Sequence, residues 1–439
     1  MPNKTLVALI GLLAIASCGG SGSYNSPPVA SPKSITAFYL DSPWATGNID
    51  EATHTIELPL YGADVTGLTP TIVHSGSRVS PASGMKRDFS RPVVYTVTAA
   101  DGTTQGYSVS VMPPARGQLM RVSGESLVLP AGQAARLSFD RLSLGSVAVR
   151  STYQAGDHDR IDYQEGADYT VDYLNGTITR TAASRIPDFS ANVLYGQHDF
   201  DQKNFPGYTN HPFFVWVDYE TSNGEAFAKP NDQSRYLANT RAKLEAGGPF
   251  RIVSYGDSIT AGHETSTPEL TFTALYRNHL QSRYPGATIV LEDVSLPGHT
   301  STSAIGAWDA TVGTTSPDLV LLGWGMNDHS LGGASPEQFK QNLIRLVAMV
   351  RNQKHADVIL FSAFPPNEEW HYGTHRMRLY AEATRQAAAE TNCAYVDVFD
   401  TWGRVLQRKD QSSLLGNNIN HPNDFGHWLY LQTFAAMGL

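Results

Sequence analysis

The sequence predicts an α/β C-terminal half, built on a doubly wound parallel sheet, behind two β-sandwiches. Three observations carry this. From residue 250 onward, short apolar runs alternate with amphipathic stretches of helical length, the pattern of strands buried on both faces with helices packed over them. Before residue 220 the runs are short, alternate with period two and are separated by Asp-Gly and Asn-Gly turns. The doublet Pro113-Pro114 divides that β-rich half. With 439 residues the chain is long enough for two or three domains, and its 41% hydrophobic content permits a sizeable core.

The first residues read as a processing signal. Lys4 supplies a positive charge, and Leu6 to Ala16 is apolar but too short to span a bilayer. The run Ile15-Ala16-Ser17-Cys18 followed by Gly19-Gly20-Ser21-Gly22-Ser23 resembles the lipobox of bacterial lipoproteins. The resemblance implies that residues 1–18 are a leader and that Cys18 becomes a lipidated first residue. It also implies a cell-envelope location, at the outer membrane or cell surface, with a membrane anchor through that lipid. Residues 19–34, rich in Ser, Pro and Gly, read as a flexible tether.

Residues 35–112 have the turn spacing of an immunoglobulin-like sandwich. Val93–Thr98 and Tyr107–Val111 are strands, and the Asp101-Gly102 turn between them closes a hairpin. Residues 116–233 form a second β-rich stretch, read as a sandwich or jelly-roll. Tyr169–Tyr173 and Thr177–Arg180 flank an Asn175-Gly176 turn, and Phe213–Tyr219 is a late strand. Ser234–Ala246 is helix-like and bridges to the last domain, residues 249–439. There the strands fall at Arg251–Tyr255, Thr288–Glu292, Leu319–Gly323, Val358–Ser362 and Tyr395–Val398. The helices fall at Leu270–Tyr284, Pro336–Arg351, His375–Thr391 and Pro422–Met437. Reactive groups on such a sheet belong on the loops at the strands' carboxyl ends.

Those loops hold the informative residues. Gly256-Asp257-Ser258-Ile259-Thr260 follows the first strand, so Ser258 sits on a strand-to-helix turn with its backbone N–H at a helix N-terminus. The fifth position of a Gly-x-Ser-x-Gly frame is taken by Thr260, which argues against the nucleophile elbow of α/β-hydrolases. Ser295-Leu296-Pro297-Gly298-His299 follows the second strand and Gly323-Trp324-Gly325-Met326-Asn327-Asp328 the third. Asn418-Ile419-Asn420-His421-Pro422 lies near the C-terminus. Four blocks in this order resemble the SGNH (GDSL-like) hydrolase family, over roughly residues 249–439. The resemblance implies a flavodoxin-like three-layer fold. It also implies Ser258 as nucleophile, His421 as base, and an oxyanion hole from the Ser258 and Gly298 N–H groups and the Asn327 amide.

One position departs from the family's pattern. An aspartate three residues before the histidine is expected; here that residue is Asn418. Its carbonyl oxygen can accept the imidazole N–H but brings no charge. Asn418 is therefore the expected orienter of His421, with Asp424 or Asp328 as other acids in reach and a weakened site as the remaining reading.

A net charge of −9 without Lys/Arg runs excludes nucleic acid as a partner. No histidine pair has a spacing that binds metal, and no glycine-rich phosphate cradle occurs, so neither a metal nor another cofactor is expected. Cys393 is the only cysteine besides Cys18, which leaves no intramolecular disulfide in a lipidated chain. Trp370, on the loop after the fourth strand, is the expected sugar-stacking residue. Together these features predict a lipid-anchored serine esterase that removes acetyl or other short acyl groups from a polysaccharide or oligosaccharide. The other readings are a lipase or thioesterase on longer acyl esters and a surface glycan-binding lipoprotein whose hydrolase domain is catalytically weak.

Overall fold

The computed structural model describes residues 31–40, 45–60, 65–112 and 118–439. Cys18, the whole leader and most of the tether lie outside the described residues. Residues 35–112 form two facing sheets. One joins strands Ala45–Thr46, Ile35–Leu40 and Thr71–His74; the other joins Asn48–Asp50, Thr55–Pro59, Thr104–Met112, Val93–Thr98 and Arg78–Ser80. The expected hairpin is present, with Tyr95 opposite Tyr107 and Thr98 opposite Thr104. Its turn is set by Asp101, whose carboxylate accepts the Thr103 N–H at 2.9 Å. The module has its own core, in which Phe38 meets the ring of Tyr95 edge-on at 5.3 Å.

The second β region also has two sheets. The larger orders Asp162–Tyr163, Ala148–Arg150, Val215–Gly224 and Gln118–Leu127. The smaller orders Ala134–Arg136, Thr177–Arg180 and Tyr169–Asp172. The sequence reading makes residues 116–233 self-contained, but the structure gives them a core continuous with that of the last domain. Phe227 packs edge-on against Phe425 and Trp428, with ring centroids 5.9 and 5.1 Å apart. A buried ion pair crosses the same boundary. Lys409 Nζ lies 2.8 Å from Glu125 Oε1, and both side chains are 0% exposed. Glu125 also accepts the Ser138 N–H and hydroxyl and the Tyr219 hydroxyl. Both carboxylate oxygens thus have donors, three on Oε1 and one on Oε2, as a buried charge requires. Burial lowers the Lys409 pKa, with Glu125 opposing.

In the last domain, strands β1 (Gly248–Gly256), β2 (Ala287–Asp293), β3 (Leu319–Gly323), β4 (Asp357–Phe361) and β5 (Ala394–Val396) form one parallel sheet in the order β2-β1-β3-β4-β5. The central strand β3 is buried along its whole length, which is why its sequence is an unbroken apolar run rather than an alternating one. Helices α1 (Ala238–Ala246), α2 (Phe272–Arg283), α3 (Ser301–Ala307), α4 (Pro336–Lys354), α5 (Met377–Thr391), α6 (Val398–Leu406) and α7 (Asp424–Ala435) accompany it. α2 packs on α7 and α4 on α5. Phe361 of β4 fills the first layer against Phe272, Tyr430 and Phe434. The helices α3 and α6 are absent from the sequence reading; both are short, at seven and nine residues. The strand order reverses beside β1, and a crevice at the carboxyl ends of β1 and β3 is where such sheets bind ligands.

Removing one partner of the buried pair strands the other's charge. Lys409→Met is expected to destabilise the protein by about 3–5 kcal/mol. The double variant Lys409→Met with Glu125→Gln should recover much of that loss; chemical denaturation of the three proteins measures it.

Candidate active site

Strand β1 ends at Gly256, where a Cβ would run into Thr260 Oγ1 and the Gly323 carbonyl of β3. Only glycine lets the chain turn this tightly against its neighbour. The turn places Ser258, 7% exposed, at the sheet's carboxyl edge. Asp257 is buried and caps the turn by accepting the Ile259 N–H at 3.0 Å; burial pushes its carboxyl up to about 7. The helix expected to start here does not. A single helical turn forms, with the Ala261 N–H bonded to the Asp257 carbonyl and the His263 N–H to the Ser258 carbonyl. The regular helix α2 begins only at Phe272, capped by Thr271. Ser258 therefore has free N–H groups around it but no long helix dipole behind it.

The loops after β2 and β3 are laced to this turn. The Leu296 N–H donates to the Gly256 carbonyl at 2.8 Å, which runs the β2 loop alongside the end of β1. Gly298 follows in the left-handed region at φ +76° and is exposed. Asn327 is buried and donates its Nδ2 to the His299 carbonyl at 2.9 Å, so the third loop is tied to the second. The next residue, Asp328, accepts the Ser301 N–H and hydroxyl and caps α3 from outside. Among the described residues, the N–H groups of Ser258 and Gly298 donate to no protein group. Asn327 keeps one amide hydrogen after bonding His299. These donors stand on the loops after β1, β2 and β3, at the sheet edge that carries Ser258.

His421 reaches the same edge from the far end of the chain. Its Nε2 lies 2.8 Å from Ser258 Oγ. Burial lowers the imidazole pKa to about 4; the His263 ring, 5.3 Å away, acts in the same direction and Glu264 against it. The ring is therefore neutral at neutral pH. On its other side the structure corrects the expected partner: Asn418 does not touch the imidazole. Asn417 does, with Nδ2 at 3.0 Å from His421 Nδ1. The reason is backbone geometry. Asn418 takes a left-handed conformation, φ +56°, which turns its side chain out of the histidine's neighbourhood. It instead lines a cavity of about 340 Å³ with Gln133, Tyr195 and Gln411, and its buried Oδ1 has no protein partner. The acids also considered are engaged elsewhere. Asp424 accepts the Ser266 N–H at 2.8 Å, and Asp328 holds Ser301.

The second β region forms the wall behind the histidine loop. Asn210, fully buried, donates its backbone N–H to the Gly416 carbonyl at 2.7 Å. Its Nδ2 donates to the carbonyls of Leu415 and Ser412 at 2.9 and 3.1 Å. Ser126 donates its hydroxyl to the Ser413 carbonyl. From the same region His211 pairs with Glu264, on the Ser258 turn, at 2.7 Å. The loop expected to offer Trp370 to a sugar is covered too. Trp370 is 4% exposed, donates Nε1 to Gln202 at 2.7 Å and packs with Leu194, Phe200 and Ile419. Residues 194–205 occupy the face it would need for stacking, so Trp370 is a packing residue.

Sequence reasoning missed Asn417, the His263–Glu264 pair and Asn210. Asn417 stands next to the position examined, and His263-Glu264 lies five residues beyond Ser258, so both were within local reach. Nothing in the chain marks Asn210, which acts across more than 200 positions.

Two family descriptions match parts of this chain. Residues 254–429 match the GDSL-like lipase/acylhydrolase family, and residues 35–111 match the family described as SGBP, N-terminal. An acetylxylan esterase of Geobacillus stearothermophilus is 23% identical over 208 residues, which cover 44% of this chain and 94% of that protein. An arylesterase of Vibrio mimicus is 26% identical over 121 residues, covering 27% of this chain and 56% of the relative. Among solved structures, a two-domain esterase active on acetylated mannans, co-crystallised with mannopentaose, aligns with a TM-score of 0.41 at 22% identity. The alignment covers 48% of this chain and 55% of that one.

Asn210→Ala removes the amide donor from the Ser412 carbonyl and the shorter of the two donors from the buried Leu415 carbonyl, which keeps only the Asn418 N–H at 3.4 Å. A loss of about 1–3 kcal/mol is expected, read as a shift of the denaturation midpoint; an unchanged midpoint would show that the wall does not hold the loop.

Proposed function

We propose that the C-terminal domain, a GDSL-like lipase/acylhydrolase domain and so a carboxylic ester hydrolase, works as a serine esterase that removes acetyl groups from a polysaccharide. The reading is carried by the 2.8 Å contact between Ser258 Oγ and His421 Nε2, placed on the crevice where this sheet order gathers its loops. Ser258 Oγ attacks the ester carbonyl while His421 takes its proton. The oxyanion formed is held by the N–H groups of Ser258 and Gly298 and the amide of Asn327. His421 then gives the proton to the departing sugar oxygen, the C–O bond breaks, and an acetyl group stays on Ser258. Water, deprotonated by His421, attacks that acyl-enzyme, and acetate leaves with Ser258 regenerated. No step calls for a cofactor.

The substrate class rests on two supports. The acetylxylan esterase relative is matched over 94% of its length, and the N-terminal module matches a family whose description, SGBP, N-terminal, fits a glycan-holding role. A module that binds the polymer would keep the esterase on it and raise the local concentration of acetyl groups. The lipobox-like leader ending at Cys18 completes the proposal: a lipid-anchored enzyme of the bacterial envelope, at the outer membrane or cell surface.

Ser258→Ala is expected to lower acetate release from acetylated glycans by about 10⁴-fold or more, with the fold retained by circular dichroism. Asn327→Ala should cost about 10²–10³-fold in kcat. Across nitrophenyl esters of increasing chain length, activity should peak at acetyl; a maximum at long chains would make the domain a lipase. Because the base must be neutral and the His421 pKa is lowered to about 4, kcat/KM should hold as pH falls from neutral and drop only near pH 4. An acid limb at the ordinary histidine value of 6.5 would contradict this assignment.

A further inference from the structure

We propose that Asn417 is a positioning residue that holds neutral His421 with its proton on Nε2, so that the Ser258 proton is taken only through the less stable Nδ1–H form of the ring. The site as folded is therefore restrained, and a carboxylate at position 417 would release it. The inference rests on the serine-esterase reading above. Its basis is the hydrogen bonding of the Asn417 side chain, which is 7% exposed. Oδ1 accepts three backbone N–H groups, those of Ile419, Asn420 and His421, each at 3.0 Å. Three converging donors decide which end of the amide is oxygen, an identity that a side-chain amide otherwise leaves to its surroundings. The NH₂ end then lies 3.0 Å from His421 Nδ1 and 3.1 Å from Asn420 Oδ1. An NH₂ group only donates, so Nδ1 must present its lone pair, and the single proton of the neutral ring sits on Nε2. Across the 2.8 Å contact, Ser258 is then the acceptor.

Turning the amide over would set its NH₂ against three N–H donors and break three buried hydrogen bonds at once. The charged intermediate meets the same obstacle. Once His421 holds the serine's proton on one nitrogen and a proton on the other, its Nδ1–H faces an NH₂ rather than an acceptor. The other groups around the ring do not supply one. His263 and His427 oppose a positive charge on the ring or are opposed by it, and Glu264 favours it from a distance while bonded to His211. In a serine protease the exchange of the orienting Asp for Asn traps this tautomer and costs about 10⁴-fold in turnover; here the amide is the native state.

Asn417→Asp changes one atom. One carboxylate oxygen keeps the three backbone donors, and the other meets Nδ1–H; the Asn420 amide turns to donate to it. The expected result is a kcat on acetyl esters raised about ten-fold or more, with the acid limb of the pH profile moved upward by about one to three units as the carboxylate stabilises the imidazolium. ¹⁵N NMR of ring-labelled protein, with His421 assigned by difference against His421→Gln, reads the tautomer directly. It should show Nε2–H in the native protein and Nδ1–H in Asn417→Asp. A native Nδ1–H form overturns the proposal, and so does an Asn417→Asp protein whose kcat and acid limb do not move. The native spectrum decides even if the variant fails to fold. If native protein, Asn417→Asp and Ser258→Ala are equally inert on every ester, the esterase reading fails, while the spectrum still decides the tautomer.

Discussion

The structure depends on one clamp. The chain between α6 and α7, which ends in the histidine loop, is held on one side by the hydrolase sheet and on the other by the second β region. Lys409 enters that region's core to meet Glu125 at 2.8 Å. A few residues on, Asn210 takes three carbonyls of the same loop. Each contact alone is modest, since a typical hydrogen bond contributes about 1 kcal/mol net. Left unmade, each would strand a buried polar group, so the loop has one good position. That position sets His421 against Ser258. The second β region is thus part of the site's architecture rather than an appendage beside it.

The same logic explains the site's polarity. Ser258, Gly298, Asn327 and His421 come from four loops: Leu296 ties the second loop to Gly256 of the first, Asn327 ties the third to His299 of the second, and Asn417 braces His421 within the fourth. Such lacing fixes positions without placing a charge beside the histidine. Glu264, whose charge favours a protonated ring, is held in an ion pair with His211. Burial then dominates and keeps the ring neutral. Precision and electrostatic assistance are separable here: a serine hydroxyl and an imidazole are held in contact, and among the described residues the imidazole's other nitrogen meets an amide rather than a carboxylate.

Much of the fold was legible. The strands of the last domain were located to within about three residues, because runs buried on both faces cannot be anything but apolar. The Asp101-Gly102 and Asn175-Gly176 turns stand where local chemistry puts them. Ser258, Gly298, Asn327 and His421 lie on the loops expected of them. Two readings of single side chains went astray. Asn418 was taken as the histidine's neighbour because the family resemblance puts the orienting residue three positions before it, yet Asn418 has a left-handed backbone and the residue bonded to the ring is Asn417. Trp370 was read as an exposed platform, yet residues 194–205, some 170 positions earlier, cover it. The helix expected from Leu270 begins at Phe272, but Ser258, expected at a helix N-terminus, opens only a single turn, because the polar run His263 to Thr267 offers no buried face.

By itself, the sequence determined what is local: which segments are strands or helices, where turns fall, and which loops carry reactive groups. Hydrophobic period and turn chemistry act over a few residues and leave a readable trace. Tertiary structure alone decided which groups meet. The Ser258–His421 contact spans 163 positions and the Lys409–Glu125 pair 284. The orientation of the Asn417 amide depends on where three backbone N–H groups converge. Such choices follow from how packed surfaces exclude water and leave each buried donor one acceptor, a condition that exists only once the chain has closed on itself.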